Sequence, residues 1–441
     1  MNDSRNNTME LQGKRVTVVG LGRFGGGVGV TRWLCRQGAI VTVSDAADAA
    51  ALKDSVAQLD GFDVTLHLGR HDERDFTDAD LLVVNPAVPK ESPLIGRAEQ
   101  AGVPRTSEIN LFIERCNAPI AGITGSVGKS TTTAMAGAIL ATQRTTHVGG
   151  NIGRSLLETL PEIREDHVVV LELSSFQLED LPLIATSPHV ALVTNLTPNH
   201  LDRHGTMDAY AAAKRNIFAF QGPDDVLILN RDDEPTRGWA DDAPGRVEFF
   251  GSDQEPFELA VPGEHNQLNA RAAWAIARQF NVPRQRAAEA LKSFTGLPHR
   301  LSLVAEKDGV RYFNDSKCTT PGGAMVAAGA FKPRRAILIV GGYDKNVSFA
   351  EMGRFLAERA KGVIALGATA GQIAAAVDDA RAEDIPVLMR ATTLEQAVTL
   401  AADLADAGDA VLLSPACASY DMFVNYEQRG DEFVRLVRQL K

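Results

Sequence analysis

Cysteine, positive charge and long apolar runs are all scarce in this sequence. The four cysteines among its 441 residues are scattered and form no C-x-x-C pair, which is typical of small buried side chains in a reducing cytosol. A formal net charge of −11 argues against a surface that binds nucleic acid or anionic membranes. No apolar run approaches the roughly 20 residues that cross a bilayer, and the polar N-terminus lacks the apolar stretch of a signal peptide. We therefore expect a cytoplasmic protein without nucleic-acid or membrane partners.

Short runs rich in Val, Ile and Leu alternate with Ala-rich helical stretches along almost the whole chain. Continuous apolar strands separated by helices predict an α/β protein whose parallel sheets are covered on both faces. The length suits about three domains, and the segments CNAP at 116–119 and TGLPHR at 295–300 predict domains at 1–117, 118–298 and 299–441. The predicted strands are 16–20, 40–44, 81–85, 120–124, 168–173, 190–195, 226–230, 310–313, 336–341, 362–366 and 410–413.

A glycine-rich loop, GLGRFG at 20–25, follows the first predicted strand. It fits G-x-G-x-x-G through Gly20, Gly22 and Gly25, and Asp45 stands twenty residues further on, at the end of the second apolar run. That is the layout of a dinucleotide-binding site. On these residues alone the chain could be interpreted as an NAD(P)-dependent oxidoreductase, although this interpretation leaves most of the chain unexplained.

A second glycine-rich loop, AGITGSVGKSTTT at 121–133, lies between a predicted strand and an Ala-rich helix. Backbone N–H groups at such a helix N-terminus bind phosphates. Lys129 would reach the β and γ phosphates of a nucleotide, and the Ser130 hydroxyl would bind Mg²⁺. The strict P-loop spacing is not met, because Ile123 stands where the first glycine belongs, so the motif is a variant. The interpretation that this is a protein that uses ATP hydrolysis to drive conformational changes remains an alternative at this point.

Further chemistry-bearing residues stand at the ends of predicted strands. Glu172 ends the run 168–173, where a carboxylate beside a phosphate loop predicts a Mg²⁺ ligand. His200 lies in NHLDRH after the run 190–195, and Lys214 lies on an Ala-rich helix, where a lysine is usually solvated. The loops that begin NDSK, GGYDK and SPACAS follow later strands, so we expect them to share one cleft.

An ordered set of motifs resembles the Mur ligases of peptidoglycan synthesis. The resemblance covers nearly the whole chain from about residue 13, and each motif is modest whereas the set is specific. The motifs are GITGSVGKSTT, GGNIG, ELSSFQLE, NHLDRH, AYAAAK, HNQLN, GLPHR, NDSK and SPACASYDMFVNYEQRGDEF.

The resemblance implies a three-domain α/β ligase: a Rossmann-like UDP-binding domain, a central P-loop ATPase-type domain and a C-terminal Rossmann-like domain that binds an amino acid. The first glycine loop would then hold UDP rather than NAD. ELSSFQLE, GGNIG and SPACAS are most similar to the branch that adds D-glutamate to UDP-N-acetylmuramoyl-L-alanine through an acyl phosphate. Another amino-acid specificity, including that of folate polyglutamate ligases, is the serious rival. A monomer is expected.

The resemblance also implies roles for individual residues, with ATP and two Mg²⁺ ions as cofactors and a carbamylated Lys214. Catalysis falls to Lys129, Glu172, His200 and Lys214, and the metal ligands are Ser130, Glu172, His200 and Lys214. The ATP set is Gly125, Gly128, Lys129, Ser130, Thr131, Asn266, Asn269, Arg300, Asp315 and Lys317. The UDP-substrate set is Gly22, Arg23, Phe24, Asp45, Asn151 and Ser174. The D-glutamate set is Thr319, Lys345, Ser419 and Tyr426.

The sequence departs from the family pattern at a few of these places. Val127 in the phosphate loop stands where Asn is common. Thr320 and Tyr426 differ near the expected D-glutamate pocket, which makes the geometry of that pocket the least predictable part of the site. The segment Asn85-Pro86-Ala87 replaces a more usual Ser-Pro-Gly.

Overall fold

The computed structural model describes residues 9–22, 25–153, 155–382 and 385–440, and within these ranges the chain forms three β-sheets. The predicted α/β fold class is therefore confirmed. The chain packs as two compact units: the first holds the chain up to Glu255 together with Asn269–Ala287, and the second holds Pro256–Leu268 and the chain from Ala288 onward. In the part of the chain described, no helix combines the length and the apolar character that crossing a membrane requires.

The first sheet is parallel and has a Rossmann-like strand order. Its strands are β1 (Arg15–Val19), β2 (Ile40–Asp45), β3 (Val64–Leu68), β4 (Leu81–Val84) and β5 (Arg105–Thr106). Its helices are α1 (Gly26–Arg36), α2 (Lys53–Ala57), α3 (Arg74–Thr77), α4 (Pro93–Gln100) and α5 (Glu108–Arg115). The order β3-β2-β1-β4-β5 opens a crevice at the carboxyl ends of β1 and β4, where the chain leaves in opposite directions.

The second sheet is also parallel and lies in the same unit. Its strands are β6 (Ile120–Thr124), β7 (Thr146–Gly150), β8 (Val168–Glu172), β9 (Val190–Val193), β10 (Val226–Asn230) and β11 (Arg246–Phe250). Its helices are α6 (Lys129–Leu140), α7 (Ser175–Leu178), α8 (Leu201–His204), α9 (Met207–Arg215) and α10 (Glu234–Arg237). Since β6 pairs with both β8 and β9, the loops that follow these three strands meet at one edge of the sheet.

The third sheet is mixed, which corrects the expectation of purely parallel sheets. Helices α11 (Glu264–Gln279) and α12 (Arg284–Lys292) precede it. Its strands are β12 (Ser302–Lys307), β13 (Val310–Asn314), β14 (Ala336–Val340), β15 (Gly362–Ala365), β16 (Val387–Arg390) and β17 (Ala410–Leu413). Its helices are α13 (Pro321–Gly329), α14 (Ala350–Arg359), α15 (Ala370–Asp378), α16 (Leu394–Leu404) and α17 (Tyr426–Gln439).

Strand β12 runs antiparallel to β13, whereas the other neighbours in this sheet are parallel. Alternate residues of β14 face two separate apolar clusters: Leu338 and Val340 face one, and Ile337 and Ile339 face the other. Both faces of the sheet are therefore covered. Strand β17 lies between β13 and β14, so the loops after these three strands are neighbours.

The predicted strands are the interior strands of the three sheets, with ends that differ by one or two residues. The edge strands β3, β5, β7, β11, β12 and β16 were not predicted.

Candidate active site

The loop between β6 and α6 has the backbone of a phosphate-binding loop. Gly125 and Gly128 have positive φ values of 145° and 87°, a conformation that side chains other than glycine rarely adopt. The Asn195 amide group clamps the turn, because its Oδ1 accepts from the Val127 N–H (2.9 Å) and its Nδ2 donates to the Val127 carbonyl (3.0 Å). The Ser126 hydroxyl donates to the Thr197 carbonyl (2.8 Å). The loop is thus held by the segment after β9.

Positive charge concentrates at the N-terminus of α6. Lys129 is the first residue of this helix, and its Nζ donates to the carbonyls of Gly125 (2.9 Å) and Ser126 (3.0 Å). Ser130 and Thr131 follow in the first turn and are half-buried. The first N–H groups of a helix have no partner within the helix, and its dipole attracts anions. An ammonium group at such an end makes a site for phosphate.

Glu172, the last residue of β8, is a buried carboxylate at the same edge. It is 2% exposed, and its Oε1 accepts from Asn151 Nδ2 (2.9 Å). Its Oε2 is also buried and has no hydrogen-bond partner among the described residues. Leaving a buried carboxylate oxygen without a donor costs free energy. A carboxylate oxygen in this position is suited to bind a cation.

Lys214 on α9 is a lysine that lies wholly inside the protein, close enough to Glu172 for the two side chains to interact electrostatically. It is 1% exposed, and its Nζ donates to the Gly125 carbonyl (2.8 Å) and lies 4.6 Å from the centre of the Tyr210 ring. Burial, and then the charge of Lys129, lower the pKa of Lys214 to about 6. At neutral pH the amine is mostly uncharged. Lys214 is therefore not the solvated lysine that its Ala-rich helix alone suggests.

His200 stands just before α8, in the left-handed conformation with φ 55°. Its ring contacts Phe176 at 5.0 Å between centroids. Partial desolvation and then the charge of Lys129 lower the pKa of His200, so its ring is neutral at pH 7. A neutral ring nitrogen is able to bind a metal. Ser174, by contrast, uses its hydroxyl to cap α7, accepting from the Gln177 N–H (3.2 Å).

The first glycine loop is organised by Asp45. Gly22 has φ 66°, and its N–H donates to Asp45 Oδ2 (3.1 Å), while Asp45 Oδ1 accepts from the Ala47 N–H (2.8 Å). The Ser55 hydroxyl donates to the Gly22 carbonyl (2.7 Å). Asp45 therefore fixes the loop, a role that the motif alone did not indicate. Arg23 and Phe24 lie outside the described residues.

The two asparagines of HNQLN belong to different units. Asn269 Oδ1 accepts from the Thr132 hydroxyl (3.2 Å), so it lies against α6. Asn266 lies in the second unit, where its Nδ2 donates to the Pro262 carbonyl (2.7 Å). Asn269 is thus placed beside the phosphate loop.

The second unit brings the NDSK and SPACAS loops together. Asp315 Oδ2 accepts from the Ser414 hydroxyl (2.8 Å), and its Oδ1 accepts from the Leu301 N–H (3.1 Å). Burial raises the pKa of Asp315 to about 6, against the smaller lowering effect of these hydrogen bonds and of Arg300. Lys317 is exposed, with its Nζ 5.3 Å from the centre of the Tyr426 ring.

Four residues were expected to bind D-glutamate, and the structure places them on neighbouring segments. The Tyr343 N–H donates to the Ala418 carbonyl (2.9 Å), which joins the loop that bears Lys345 to the loop that bears Ser419. Burial, followed by the nearby Glu427, raises the pKa of the Tyr426 phenol to about 12. The positions and exposures are Thr319 half-buried before α13, Lys345 exposed after β14, Ser419 buried after β17, and Tyr426 half-buried at the start of α17.

Sequence reasoning did not single out several residues that hold this site together. Asn195 and Tyr210 support the phosphate loop, and Arg203 bonds the segment around His200 to the Val88 carbonyl after β4. Arg203 and Tyr210 lie inside NHLDRH and AYAAAK, and Asn195 lies just before NHLDRH, which was the available signal. Their roles depend on contacts between distant segments, which those motifs do not encode.

A Rossmann-like crevice, a lysine-bearing phosphate loop and a further α/β domain define an ATP-dependent enzyme with three α/β domains. Three family models match in this order: the Mur ligase MurD-like N-terminal domain (14–107), the Mur ligase middle domain (123–256) and the Mur ligase glutamate ligase domain (299–417). The chain belongs to the Mur ligase family. It is an ATP-dependent ligase that forms amide bonds in peptidoglycan precursor synthesis, as the resemblance predicted.

Full-length relatives include two proteins named UDP-N-acetylmuramoylalanine–D-glutamate ligase. The protein from Symbiobacterium thermophilum is 40% identical over 97% of this chain and 98% of its own length. The one from Anaeromyxobacter dehalogenans is 41% identical over 98% of each chain.

Two solved structures have the same fold. UDP-N-acetylmuramate-alanine ligase MurC from Thermotoga maritima has a TM-score of 0.61 at 20% identity, covering 97% of this chain and 100% of that one. MurF ligase from Thermotoga maritima, in complex with ADP, has a TM-score of 0.58 at 18% identity and covers both chains completely. At such low identity these likenesses bear on the fold alone.

Proposed function

We propose that this chain joins D-glutamate to UDP-N-acetylmuramoyl-L-alanine in the cytoplasm, acting as a monomer. The observation that carries the chemistry is the convergence of Lys129 and Lys214 on the Gly125 carbonyl of the phosphate loop, with Glu172 close enough to influence the pKa of Lys214. The substrates are those in the names of relatives that match almost the whole chain. ATP supplies the phosphoryl group that converts the alanyl carboxylate into an acyl phosphate, which the amine of D-glutamate then attacks.

The chain's own contribution to phosphoryl transfer is positioning and charge. The N–H groups at the start of α6 bind phosphate oxygens, and Lys129 offsets the negative charge that develops during transfer. Lys129 now donates to loop carbonyls, so a bound phosphate would replace two neutral acceptors with a charged one. The proposed ATP-binding residues are Gly125, Gly128, Lys129, Ser130, Thr131, Asn266, Asn269, Arg300, Asp315 and Lys317.

The residues at this edge of the second sheet fit Mg²⁺. Glu172 Oε2 is buried without a hydrogen-bond partner among the described residues, and oxygen is the ligand that Mg²⁺ prefers. In the described ranges no three His, Cys, Asp or Glu side chains form a metal cluster, so other oxygen donors are needed. Two Mg²⁺ ions would neutralise phosphate charge there. The proposed metal ligands are Ser130, Glu172, His200 and Lys214.

A carbamate on Lys214 would provide one of those oxygen donors. The buried amine is mostly neutral at pH 7 because its pKa is lowered to about 6, and only the neutral amine attacks CO₂. An N–C bond forms as one C=O π bond of CO₂ opens, and the nitrogen releases a proton to solvent, so a neutral amine becomes an anion that offers oxygen ligands. The ammonium of Lys129 stands close enough to lower the pKa of Lys214 and would stabilise the carbamate charge.

The remaining sites are proposed from the sequence and its resemblance. The UDP part would lie at the crevice between β1 and β4, and D-glutamate at the loops after β13, β14 and β17. We propose domain boundaries between residues 117 and 118 and between residues 298 and 299. The UDP-substrate residues are Gly22, Arg23, Phe24, Asp45, Asn151 and Ser174, and the D-glutamate residues are Thr319, Lys345, Ser419 and Tyr426.

The test is phosphate release from ATP with UDP-N-acetylmuramoyl-L-alanine, measured with each of several amino acids in parallel. We expect release that requires both substrates and is fastest with D-glutamate. Release that is fastest with another amino acid would keep the ligase mechanism and overturn the specificity. Release that is indifferent to any amino acid would overturn the proposal.

A further inference from the structure

We infer that Arg203 is a positioning residue that fastens one wall of the UDP crevice to the segment that bears His200. The wall is residues 85–90, here named the substrate loop, which follows β4. The inference rests on the proposed function for the identity of its ligand, a uridine diphosphate group. It adds a residue that acts through the wall of the crevice and is not expected to contact the nucleotide or the reacting atoms directly.

The substrate loop packs directly on the first glycine loop. A Cβ atom at Gly20 would lie 2.9 Å from Val88 Cγ2 and 3.1 Å from Asn85 Cβ, and one at Gly22 would lie 3.5 Å from Asn85 Nδ2. The loop is a tight turn, in which the Val88 N–H donates to the Asn85 carbonyl (2.9 Å). A displacement of this turn would therefore change the shape of the crevice where the diphosphate is expected.

Arg203 reaches this turn from α8, which belongs to the second sheet of the same compact unit. Its Nη1 donates to the Ala87 carbonyl (3.1 Å) and its Nη2 donates to the Val88 carbonyl (3.0 Å), so one guanidinium group bridges consecutive peptide units. The same guanidinium lies 4.7 Å from the centre of the Phe176 ring. The forked geometry of arginine makes this double contact, which a lysine ammonium group cannot reproduce.

The other end of that contact is attached to His200. Arg203 lies on α8, the single-turn helix that His200 precedes, and Phe176 packs edge-on against the His200 ring. His204, whose side chain is 2% exposed, stacks on Phe176 with 9° between the rings and contacts Glu179 (3.1 Å). His204 therefore attaches α8 to Phe176 and Glu179, while Arg203 of the same helix bonds the substrate loop.

The substrate loop has a second attachment at its far end. Lys90 Nζ contacts Glu179 Oε2 (3.1 Å) and Asp180 Oδ1 (2.8 Å), and Asp180 is 2% exposed. Without Arg203 the loop would remain attached through Lys90, while the carbonyls of Ala87 and Val88 would lose their donors. We therefore expect a local change at the crevice rather than separation of the domains.

The experiment compares Arg203→Met, Arg203→Lys and a control, Arg231→Met. Arg231 also lies over an aromatic ring, that of Phe249 at 5.7 Å, and pairs with Asp253 (2.8 Å), but it is 53% exposed and directly follows β10, next to the edge strand β11. Calorimetry gives the Kd for UDP alone, and steady-state kinetics gives KM for the UDP-sugar and for ATP. Thermal unfolding checks that each variant is folded.

We expect Arg203→Met to raise the Kd for UDP and the KM for the UDP-sugar at least tenfold, while KM for ATP stays within twofold. Arg203→Lys should fall between the wild type and Arg203→Met, and Arg231→Met should match the wild type. An unchanged Kd for UDP in Arg203→Met, or an equal rise in both KM values, would overturn the inference. A wild type that binds UDP but adds no amino acid would overturn the proposed function alone, because the Kd comparison would still test Arg203.

Discussion

The two glycine loops of this chain end in the same backbone conformation and have very different surroundings. Each follows a buried interior strand and leads into a helix whose preceding glycine is left-handed: Gly25 has φ 88° before α1, and Gly128 has φ 87° before α6. In neither case does a side chain cap the helix. Each loop therefore presents backbone N–H groups at a helix end, which is what an anion requires.

The difference lies in the side chains around each loop. Around the second loop stand two lysines, Lys129 and Lys214, which both donate to the Gly125 carbonyl. The first loop is held instead by Asp45 and Ser55, which bond to the N–H and the carbonyl of Gly22. Gly26, the first residue of α1, stands where Lys129 stands in α6.

The two loops show that binding a phosphate group and transferring it have different requirements. A glycine loop at a helix N-terminus reports an anion and does not say which nucleotide carries it. Transfer of a phosphoryl group also needs charge placed where negative charge develops. In this chain only the second loop has a lysine next to its helix-capping glycine, so we expect changes there to affect turnover and changes at the first loop to affect binding.

The largest effect is expected from Lys129→Met. It removes the ammonium group at the start of α6, so phosphate release with both substrates should fall by about 10³-fold. The Kd for UDP, measured by calorimetry, should stay within twofold, because UDP is expected at the other loop. An unchanged rate in Lys129→Met would show that the two loops do not differ in the way described.

Lys214→Ala should reduce turnover by about 100-fold, the scale on which lost support of a metal site is felt. Short-chain carboxylic acids should restore part of the activity by occupying the space that the lysine leaves. Full activity of the variant without any additive would remove the carbamate from the mechanism. Lys292→Ala is the control, since Lys292 is a solvated lysine paired with Glu258.

Lys214 should also change how the free energy of unfolding depends on pH in CO₂-free buffer. Its pKa is lowered from 10.5 to about 6 in the folded protein, so between these values the unfolded chain binds a proton that the folded chain does not. The free energy of unfolding of the wild type should therefore rise across this window. Chemical denaturation at several pH values should show a shallower rise in Lys214→Ala, and equal slopes would contradict the lowered pKa.

The strands that could be predicted from the sequence differ from the others in one physical respect. Interior strands such as β6, β8 and β14 are buried at every residue, so they read as unbroken apolar runs. Edge strands such as β3, β7 and β16 are partly exposed and mix polar with apolar residues. A search for continuous apolar runs therefore finds the centre of each sheet and misses its edges.

The site shows the same limit at the level of residues. Lys129 and Glu172 could be named because motifs place their chemistry at strand and helix ends, and Lys214 could be named only through the family resemblance. Asn195 and Arg203 could not, because their function is to bond backbone carbonyls in segments 68 and 116 residues away. Any residue with an amide or a guanidinium group carries that capacity, so its use appears only in the fold.

The two left-handed glycines offer a matched pair for the smallest effect. A Cβ at Gly25 would meet no atom within 4 Å among those described, whereas a Cβ at Gly128 would lie 2.5 Å from Asn269 Oδ1. Both substitutions place alanine in a left-handed conformation, at a cost of roughly 1–2 kcal/mol. Only the second also displaces a neighbouring side chain.

Gly25→Ala should therefore lower the free energy of unfolding by about 1–2 kcal/mol, the backbone cost alone. Gly128→Ala should lower it by about 1 kcal/mol more, because overpacking adds to that cost. Denaturant unfolding of both variants gives the difference. Gly128→Ala should also weaken ATP binding, since the displaced Asn269 lies against α6. Equal losses of stability would mean that the second loop relaxes around an added Cβ atom as freely as the first.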